Sequence, residues 1–188
     1  LGLPIWKLLG GGFHQKIRCY ASVLFGATPA ETGALASRLK DRGFTAVKFG
    51  WDPMGRDAET DVALVREARK GLGKSPDLMI DAGLVWDAKT ALQRARAFSE
   101  HNIFWLEEPL RPDDYEGYRR LSEATEVRIA AGEEESNRGS FLELMDKGKI
   151  DIVQVDLTRC GGFTEARKIA SLAEDRGLPC VNHGFTTY

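Results

Sequence analysis

Short apolar runs alternate with amphipathic helical patterns along the sequence, and this alternation predicts an α/β fold with a parallel sheet. Seven such runs are separated by six helical patterns, one unit short of a TIM-type (β/α) barrel. The first run is followed by FGATPAE, which is not the Gly-rich phosphate turn that usually marks a doubly wound sheet. We therefore expect an incomplete TIM-type (β/α) barrel, with a doubly wound open sheet as the alternative.

The individual elements follow from local pattern, because buried strands are short apolar runs and helices carry apolar residues every three or four positions. The predicted strands are KIRCYASVLF (16–25), TAVKFG (45–50), DLMIDAG (77–83), IFWLEEP (103–109), VRIAAGE (127–133), DIVQVDL (151–157) and PCVNHGF (179–185). The predicted helices between them are PAETGALASRLKDRG, DAETDVALVREARKGLG, DAKTALQRARAFSEHN, DDYEGYRRLSEAT, RGSFLELMDKG and FTEARKIASLAEDRG. Several helices begin near Asp, Ser or Thr and end in Gly or Asn, as capped helices do.

Composition limits the classes of partner and compartment. A chain of 188 residues with 43% hydrophobic side chains can bury a sizeable core in one domain. A net charge of -2 gives no reason to expect nucleic acid or an anionic membrane as partner. No apolar run approaches the roughly 18 residues of a transmembrane helix. Three widely spaced cysteines, Cys19, Cys160 and Cys180, fit neither a disulfide framework nor a zinc site, so we expect a cytoplasmic protein.

Polar side chains interrupt the apolar runs at the C-terminal ends of six predicted strands. In a parallel barrel these strand ends lie at one face, which is where catalytic residues are found. The polar residues are Lys48, Asp81, Glu107 with Glu108, Glu133, Asp156 and His183. This face of the predicted barrel is therefore the candidate site.

Three carboxylates from successive strands indicate a cation site. A single carboxylate at a strand end more often caps the next helix or faces solvent. Asp81, Glu107 and Glu133 would come together at the barrel mouth, where their charges repel one another unless a cation lies between them. Oxygen ligands without Cys or His suit a hard ion such as Mg²⁺. We expect the three carboxylates to lie close together around one Mg²⁺.

The order and spacing of these residues resemble a known family. Asp81 to Glu107 and Glu107 to Glu133 both span 26 residues, Glu133 to Asp156 spans 23, and Asp156 to His183 spans 27. The phrases WLEEPL, AGE and CGGFTEARKIASLAEDRG accompany them. Over essentially its whole length, the sequence resembles the barrel-domain portion of the enolase superfamily, mandelate racemase subgroup (the mandelate racemase/muconate lactonizing enzyme family).

The resemblance implies a role for each of these residues. It implies three Mg²⁺ ligands, Asp81, Glu107 and Glu133. It also implies a catalytic dyad in which Asp156 orients His183 and raises its basicity, so that the imidazole can take a proton from the carbon next to a carboxylate. Lys48 matches the first lysine of the family's Lys-x-Lys pair. A histidine alone on an apolar run is more often a core or capping residue, and it is the neighbouring Asp156 and metal site that favour catalysis by His183.

The sequence departs from the family pattern where the second lysine of the pair is expected. In VKFGW this position is Gly50, on the same face of the strand as Lys48. A two-base racemase needs an acid or base on each face of its substrate. Either Lys48 serves as the second base or only His183 acts as a base.

The resemblance also implies which parts of the family's architecture this sequence covers. Residues 1–15 match the junction from an N-terminal capping domain, and residues 16–188 match a partial (β/α) barrel without its last element. We therefore expect the chain, which begins at Leu1, to be part of a longer protein, and we expect an open sheet edge.

Three functions are compatible with these observations. The leading hypothesis is Mg²⁺-dependent dehydration of a sugar acid, begun by removal of the proton alpha to its carboxylate. The second is a racemase or epimerase that uses Lys48 and His183 as two bases. The third, of another class, is a non-catalytic truncated barrel fragment. The expected partners are a small carboxylic acid substrate and further copies of the protein in a homo-oligomer, with no nucleic acid and no membrane.

Overall fold

The computed structural model describes residues 1–12 and 14–184 and contains one sheet of seven parallel strands in chain order. The strands are β1 (Ala21–Leu24), β2 (Ala46–Gly50), β3 (Asp77–Asp81), β4 (Ile103–Glu107), β5 (Ile129–Ala131), β6 (Ile152–Asp156) and β7 (Cys180–His183). Each strand pairs with the next in parallel, and within the described residues β1 and β7 are not paired with each other. The predicted fold class, an incomplete TIM-type (β/α) barrel, is confirmed.

Helices connect all consecutive strands. The helices are α1 (Ile5–Leu8), α2 (Pro29–Asp41), α3 (Ala58–Leu72), α4 (Ala88–Ser99), α5 (Tyr115–Ala124), α6 (Arg138–Asp146) and α7 (Phe163–Glu174). Side-chain caps begin the helices from α2 to α6, because an oxygen at each N-cap accepts a backbone N–H of the first turn. The capping residues are Thr28, Asp57, Asp87, Asp114 and Asn137. The short helix α1 was not predicted. In the described part of the chain, every helix is too short or too polar to span a membrane.

The strands are shorter than the apolar runs that predicted them. The first was expected over 16–25, but β1 begins at Ala21, where pairing with Val47 of β2 begins. The fifth was expected over 127–133 and comprises three residues, which pair with only part of β4. Apolar runs extend beyond these strands because flanking residues are also buried, whereas strand length is set by the pairing partner. The predicted last strand ended at residue 185, which lies outside the described residues.

Two apolar clusters lie on opposite faces of the sheet. The larger cluster fills the space between the sheet and its helices and includes Val47, Phe49 and Leu106. The smaller one lies on the inner face of the curled sheet and consists of Ala46, Met79, Trp105, Ala130 and Ile152. Because side chains alternate along a strand, the residues two positions further on also face inward. Those positions include Lys48, Asp81 and Glu107, which places them above the inner cluster at the C-terminal strand ends.

Arg69 joins three segments at the opposite end of the strands. Its Nε donates to the carbonyl of His101 at 2.9 Å, and Nη2 donates to that of Asn102 at 2.8 Å. Its Nη1 donates to the carbonyls of Gly73 at 2.9 Å and Pro76 at 2.8 Å. One guanidinium therefore binds the end of α3, the segment that enters β3 and the turn before β4.

We expect Arg69→Ala to lower the free energy of unfolding by about 3 kcal/mol, because it leaves several partly buried carbonyls without a donor. Urea denaturation measures this change. Arg66→Ala on the same helix is the control. Arg66 forms an exposed ion pair with Glu67, so its replacement should change the free energy of unfolding by less than about 0.5 kcal/mol. Equal stability of the two variants would contradict the role of Arg69.

Candidate active site

The structure brings the six predicted site residues to the C-terminal end of the sheet. Strand register pairs Gly50 with Asp81, Asp81 with Glu107, and Asp156 with His183. Contacts then connect the side chains in two groups. Lys48 contacts Glu107 and Asp81, and His183 contacts Glu133 and Asp156. Apart from the partly exposed His183, the residues are buried: Lys48, Asp81, Glu107, Glu133 and Asp156.

Lys48 lies between two of the predicted metal ligands. Its Nζ donates a hydrogen bond to Glu107 Oε1 and lies 3.5 Å from Asp81 Oδ2. Burial lowers the pKa of Lys48, but Glu107 and Asp81 outweigh this effect and raise the pKa above its usual value. In this arrangement Lys48 is an ammonium ion that neutralises part of the carboxylate charge.

The three carboxylates retain an excess of negative charge beside this ammonium. Burial and repulsion by Glu107 raise the pKa of Asp81 to about 6. Burial also raises the pKa of Glu133, as do Asp81 and Glu107, although His183 opposes the effect. Both shifts arise first from burial of the carboxyl groups and then from repulsion by the neighbouring carboxylates.

The residues fit a divalent cation by their chemistry. Three carboxylates and one ammonium leave two negative charges, and all the candidate ligand atoms are oxygens, as Mg²⁺ prefers. Among residues 1–12 and 14–184, buried Glu133 Oε2 has no hydrogen-bond partner, although it lies 3.2 Å from His183 Nε2. As arranged here, with Lys48 between Asp81 and Glu107, residues 1–12 and 14–184 contain no ready cluster of three metal-ligating side chains. Asp81, Glu107 and Glu133 lie at the same end of the sheet, and their joint binding of Mg²⁺ stays a prediction.

Asp156 and His183 form a hydrogen-bonded pair. His183 Nδ1 lies 2.7 Å from Asp156 Oδ2, within the distance expected for an oriented base. Burial raises the pKa of Asp156, but hydrogen bonds from the Thr158 side chain, from His183 and from the Thr158 and Arg159 backbone N–H groups hold it at about 2. An ionised carboxylate only accepts hydrogen bonds, so Nδ1 carries a proton in this pair, and Nε2 faces Glu133 Oε2 at 3.2 Å.

Sequence reasoning missed the groups that support the site from behind. Trp105 Nε1 donates to Glu107 Oε2 at 2.8 Å, so both oxygens of this carboxyl group have a donor. Glu108, which the sequence placed next to Glu107 without a role of its own, is buried among backbone N–H groups and the Tyr118 hydroxyl. Trp105 lies two residues before Glu107 on the same strand, so its contact could have been found from alternation. The partners of Glu108 lie 10 to 25 residues further along the chain, so the sequence around Glu108 does not predict them.

Gly50 lies directly against Asp81. A Cβ atom at Gly50 would lie 2.7 Å from Asp81 Cβ and 3.1 Å from Asp81 Oδ2. Residue 50 therefore faces the site, as alternation predicted, and Asp81 occupies the space that a side chain there would need. A lysine at position 50 would therefore collide with Asp81 unless Asp81 moved.

We expect Gly50→Ala to displace Asp81 and to weaken Mg²⁺ binding by about 10-fold, since small shifts in ligand orientation reduce metal affinity. The overpacking should also lower the free energy of unfolding by about 1–3 kcal/mol. Isothermal titration with Mg²⁺ and urea denaturation measure the two effects. A variant with unchanged affinity and increased stability would show that the close approach of residue 50 to Asp81 has no consequence.

A curled parallel sheet with carboxylates, a lysine and an Asp–His pair at its strand ends defines a (β/α)-barrel domain with a polar site suited to acid–base chemistry. Residues 31–188 match the model of the enolase C-terminal domain-like family. The chain belongs to the enolase superfamily, mandelate racemase subgroup, and comprises part of its barrel domain.

Solved structures of several bacterial proteins are similar to this chain. A structure described as a predicted mandelate racemase from Rhodobacter sphaeroides is 40% identical, with a TM-score of 0.89 over 97% of this chain and 48% of that one. The 3,6-anhydro-D-galactonate cycloisomerase from Zobellia galactanivorans is 35% identical, with a TM-score of 0.90 over 98% of this chain and 51% of that one. A racemase from Streptomyces coelicolor A3(2) with bound magnesium is 32% identical, with a TM-score of 0.86 over 96% of this chain and 54% of that one. The chain thus spans about half the length of these proteins.

Proposed function

We propose that the protein is a Mg²⁺-dependent enzyme that removes the proton alpha to a carboxylate, and that the overall reaction is dehydration of a sugar acid. The observation that carries this proposal is the arrangement of His183. Its Nδ1 is fixed by Asp156, while its Nε2 lies beside the carboxylate cluster. A base with one nitrogen oriented by an ionised carboxylate is suited to proton abstraction.

His183 performs the proton transfers in this proposal. Nε2 takes the proton from the carbon alpha to the substrate carboxylate, and the electron pair of that bond moves towards the carboxylate. The negative charge of Asp156 stabilises the imidazolium that forms, because the two groups are hydrogen-bonded at 2.7 Å. The hydroxyl on the beta carbon then leaves as water after receiving a proton, for which protonated His183 is the donor. The resulting enol takes a proton at the beta carbon, loses the proton of its own hydroxyl group to water, and becomes a 2-keto-3-deoxy acid.

Positive charge at the carboxylate cluster stabilises the intermediate. Asp81, Glu107 and Glu133 are the residues proposed to hold Mg²⁺, which when bound supplies Lewis-acid stabilisation of negative charge on the substrate carboxylate. Lys48 adds an ammonium ion next to the same carboxylates. Preorganised positive charge of this kind is needed because a proton alpha to a carboxylate is very weakly acidic.

Two observations favour dehydration over racemisation. Gly50 supplies no second base, and Lys48 is held as an ammonium ion by Glu107 and Asp81. The name of the Zobellia structure, a 3,6-anhydro-D-galactonate cycloisomerase, supports a sugar acid as the class of substrate. The name of the Streptomyces structure, a racemase with magnesium, supports the rival in which Lys48 and His183 act as two bases.

A panel of aldonic and aldaric acids tests the proposal. The intact protein is incubated with each acid and Mg²⁺, and formation of a 2-keto-3-deoxy acid is measured as its semicarbazone. We expect one or a few acids to react, and we expect the reaction to stop with EDTA and to resume with added Mg²⁺. Inversion of the substrate without keto-acid formation would indicate the racemase. Absence of turnover with every acid would favour the third alternative, a non-catalytic barrel fragment.

A further inference from the structure

Glu108 lies immediately behind the candidate metal site, and its side-chain hydrogen bonds go to two backbone N–H groups and to the Tyr118 hydroxyl. It follows the last residue of β4, is 2% exposed and has a positive φ of 39°. A positive φ is unfavourable for a residue with a side chain and is often retained at functional sites. The backbone conformation at Glu108 therefore needs compensating contacts.

The side chain of Glu108 makes these contacts with the turn that follows β5. Its Oε1 accepts hydrogen bonds from the backbone N–H of Gly132 at 2.7 Å and of Glu133 at 3.3 Å. Its Oε2 accepts a hydrogen bond from the Tyr118 hydroxyl at 2.9 Å, and that hydroxyl also lies 3.0 Å from the carbonyl oxygen of Leu110. One carboxyl group thereby joins the end of β4, helix α5 and the turn after β5.

The backbone pairing between β4 and β5 ends where these side-chain hydrogen bonds begin. The Glu108 N–H donates to the carbonyl of Ala130 at 3.0 Å. One residue past β5, Gly132 has a φ of 127°, and a Cβ there would lie 2.7 Å from Phe141 and 2.8 Å from the Gln154 carbonyl. The chain therefore turns sharply at Gly132. From this residue on, the Glu108 carboxyl group, instead of the backbone of β4, accepts the hydrogen bonds of the N–H groups of Gly132 and Glu133.

We propose that Glu108 is a positioning residue that fixes the backbone of Glu133, so that the Glu133 carboxylate faces the metal site and His183. The inference rests on the proposed function, because it assigns Glu133 to the Mg²⁺ site. Glu108 acts through backbone hydrogen bonds and touches neither the metal nor the substrate. Its replacement should therefore change the affinity for Mg²⁺ through the orientation of Glu133.

Titration of the intact protein with Mg²⁺ by calorimetry tests this role without an activity assay. Glu108→Ala removes the acceptors of both backbone N–H groups and should weaken Mg²⁺ binding by about 10- to 100-fold, the usual effect of removing a group that orients a ligand. Glu108→Gln should bind within about 3-fold of wild type. Its amide oxygen can accept from Gly132 and Glu133, and its NH₂ group can donate to the Tyr118 oxygen.

Two further variants separate positioning from general loss of stability. Arg69→Ala destabilises the fold at the opposite end of the strands and should leave the Mg²⁺ affinity unchanged. Should Glu108→Ala not fold, Glu108→Asp replaces it, since the shorter side chain withdraws the carboxyl group from Gly132, and it should also weaken binding by about 10-fold.

Each outcome of the titration has a distinct meaning. Wild-type affinity in Glu108→Ala, or in Glu108→Asp where that variant replaces it, would overturn the inference and leave the proposed function intact. An equal loss in Glu108→Gln and Glu108→Ala would also overturn it, because the hydrogen-bonding geometry would then not be what matters. Absence of Mg²⁺ binding by the wild-type protein would overturn the proposed function and this inference with it.

Discussion

His183→Asn should reduce kcat by at least about 10³-fold, because it removes the group that takes the alpha proton and returns it to the leaving hydroxyl. Asn has no titratable nitrogen, although its amide can still reach Asp156 through a hydrogen bond. The Mg²⁺ affinity should remain close to that of the wild type, since His183 is not among the proposed ligands. Steady-state kinetics and calorimetric titration with Mg²⁺ measure the two quantities on the same preparation.

His101→Asn is the matched control for this variant. His101 follows α4; its backbone carbonyl accepts from Arg69 and its N–H donates to the Phe98 carbonyl, and the substitution preserves both hydrogen bonds. Its kcat should equal that of the wild type. If His183→Asn retained more than a tenth of wild-type activity, His183 would not be the essential base.

Glu107→Gln should weaken Mg²⁺ binding by at least about 100-fold, more than the loss of a group that merely orients a ligand. Glu107 is fully buried, its Oε1 accepts from Lys48, and its Oε2 accepts from Trp105. The Gln amide offers one acceptor where two donors converge, so one donor would lose its partner. Breaking this buried ion pair should also lower the free energy of unfolding by about 3 kcal/mol.

Calorimetry with Mg²⁺ and urea denaturation measure both effects of Glu107→Gln. Glu123→Gln is the control, because Glu123 forms an exposed ion pair with Arg119 on α5 and should change neither affinity nor stability appreciably. Wild-type affinity in Glu107→Gln would remove Glu107 from the proposed metal site.

The fold was predictable because local pattern and chain topology agree. Each strand of a parallel sheet needs a helical crossover, so the alternation of apolar runs and helices indicated both the elements and their order. The lengths of β1 and β5 were not predictable, because they depend on how far neighbouring strands overlap. Residues such as Val127 remain buried beyond the end of a strand, and burial alone does not show where pairing stops.

The location of the site was predictable for those residues that end a strand. Asp81, Glu107, Asp156 and His183 stand at the last positions of their strands, so their common location followed from topology. The insertion of Lys48 between two carboxylates was not foreseen, since a long flexible side chain can reach several partners. The role proposed for Glu108 depends on contacts with α5 and with the turn after β5, which only the folded chain brings together.

Several sequence-based predictions concern the longer protein and remain predictions. They are the assignment of residues 1–15 to a junction with a capping domain, the partial barrel over 16–188, the homo-oligomer and the cytoplasmic location. In the part of the chain that the structure describes, β1 and β7 are the outermost strands of the sheet, which agrees with an incomplete barrel. Sedimentation of the intact protein measures its assembly state directly.

The reaction in D₂O, followed by NMR with an accepted sugar acid and Mg²⁺, tests the central claim most directly. The account predicts loss of the alpha proton and a 2-keto-3-deoxy acid that carries deuterium at the carbon beta to its carboxylate, with no reaction by His183→Asn. Recovered substrate with inverted configuration and deuterium at the alpha carbon would contradict dehydration and identify Lys48 as a second base. Complete retention of the alpha proton during turnover would contradict proton abstraction itself.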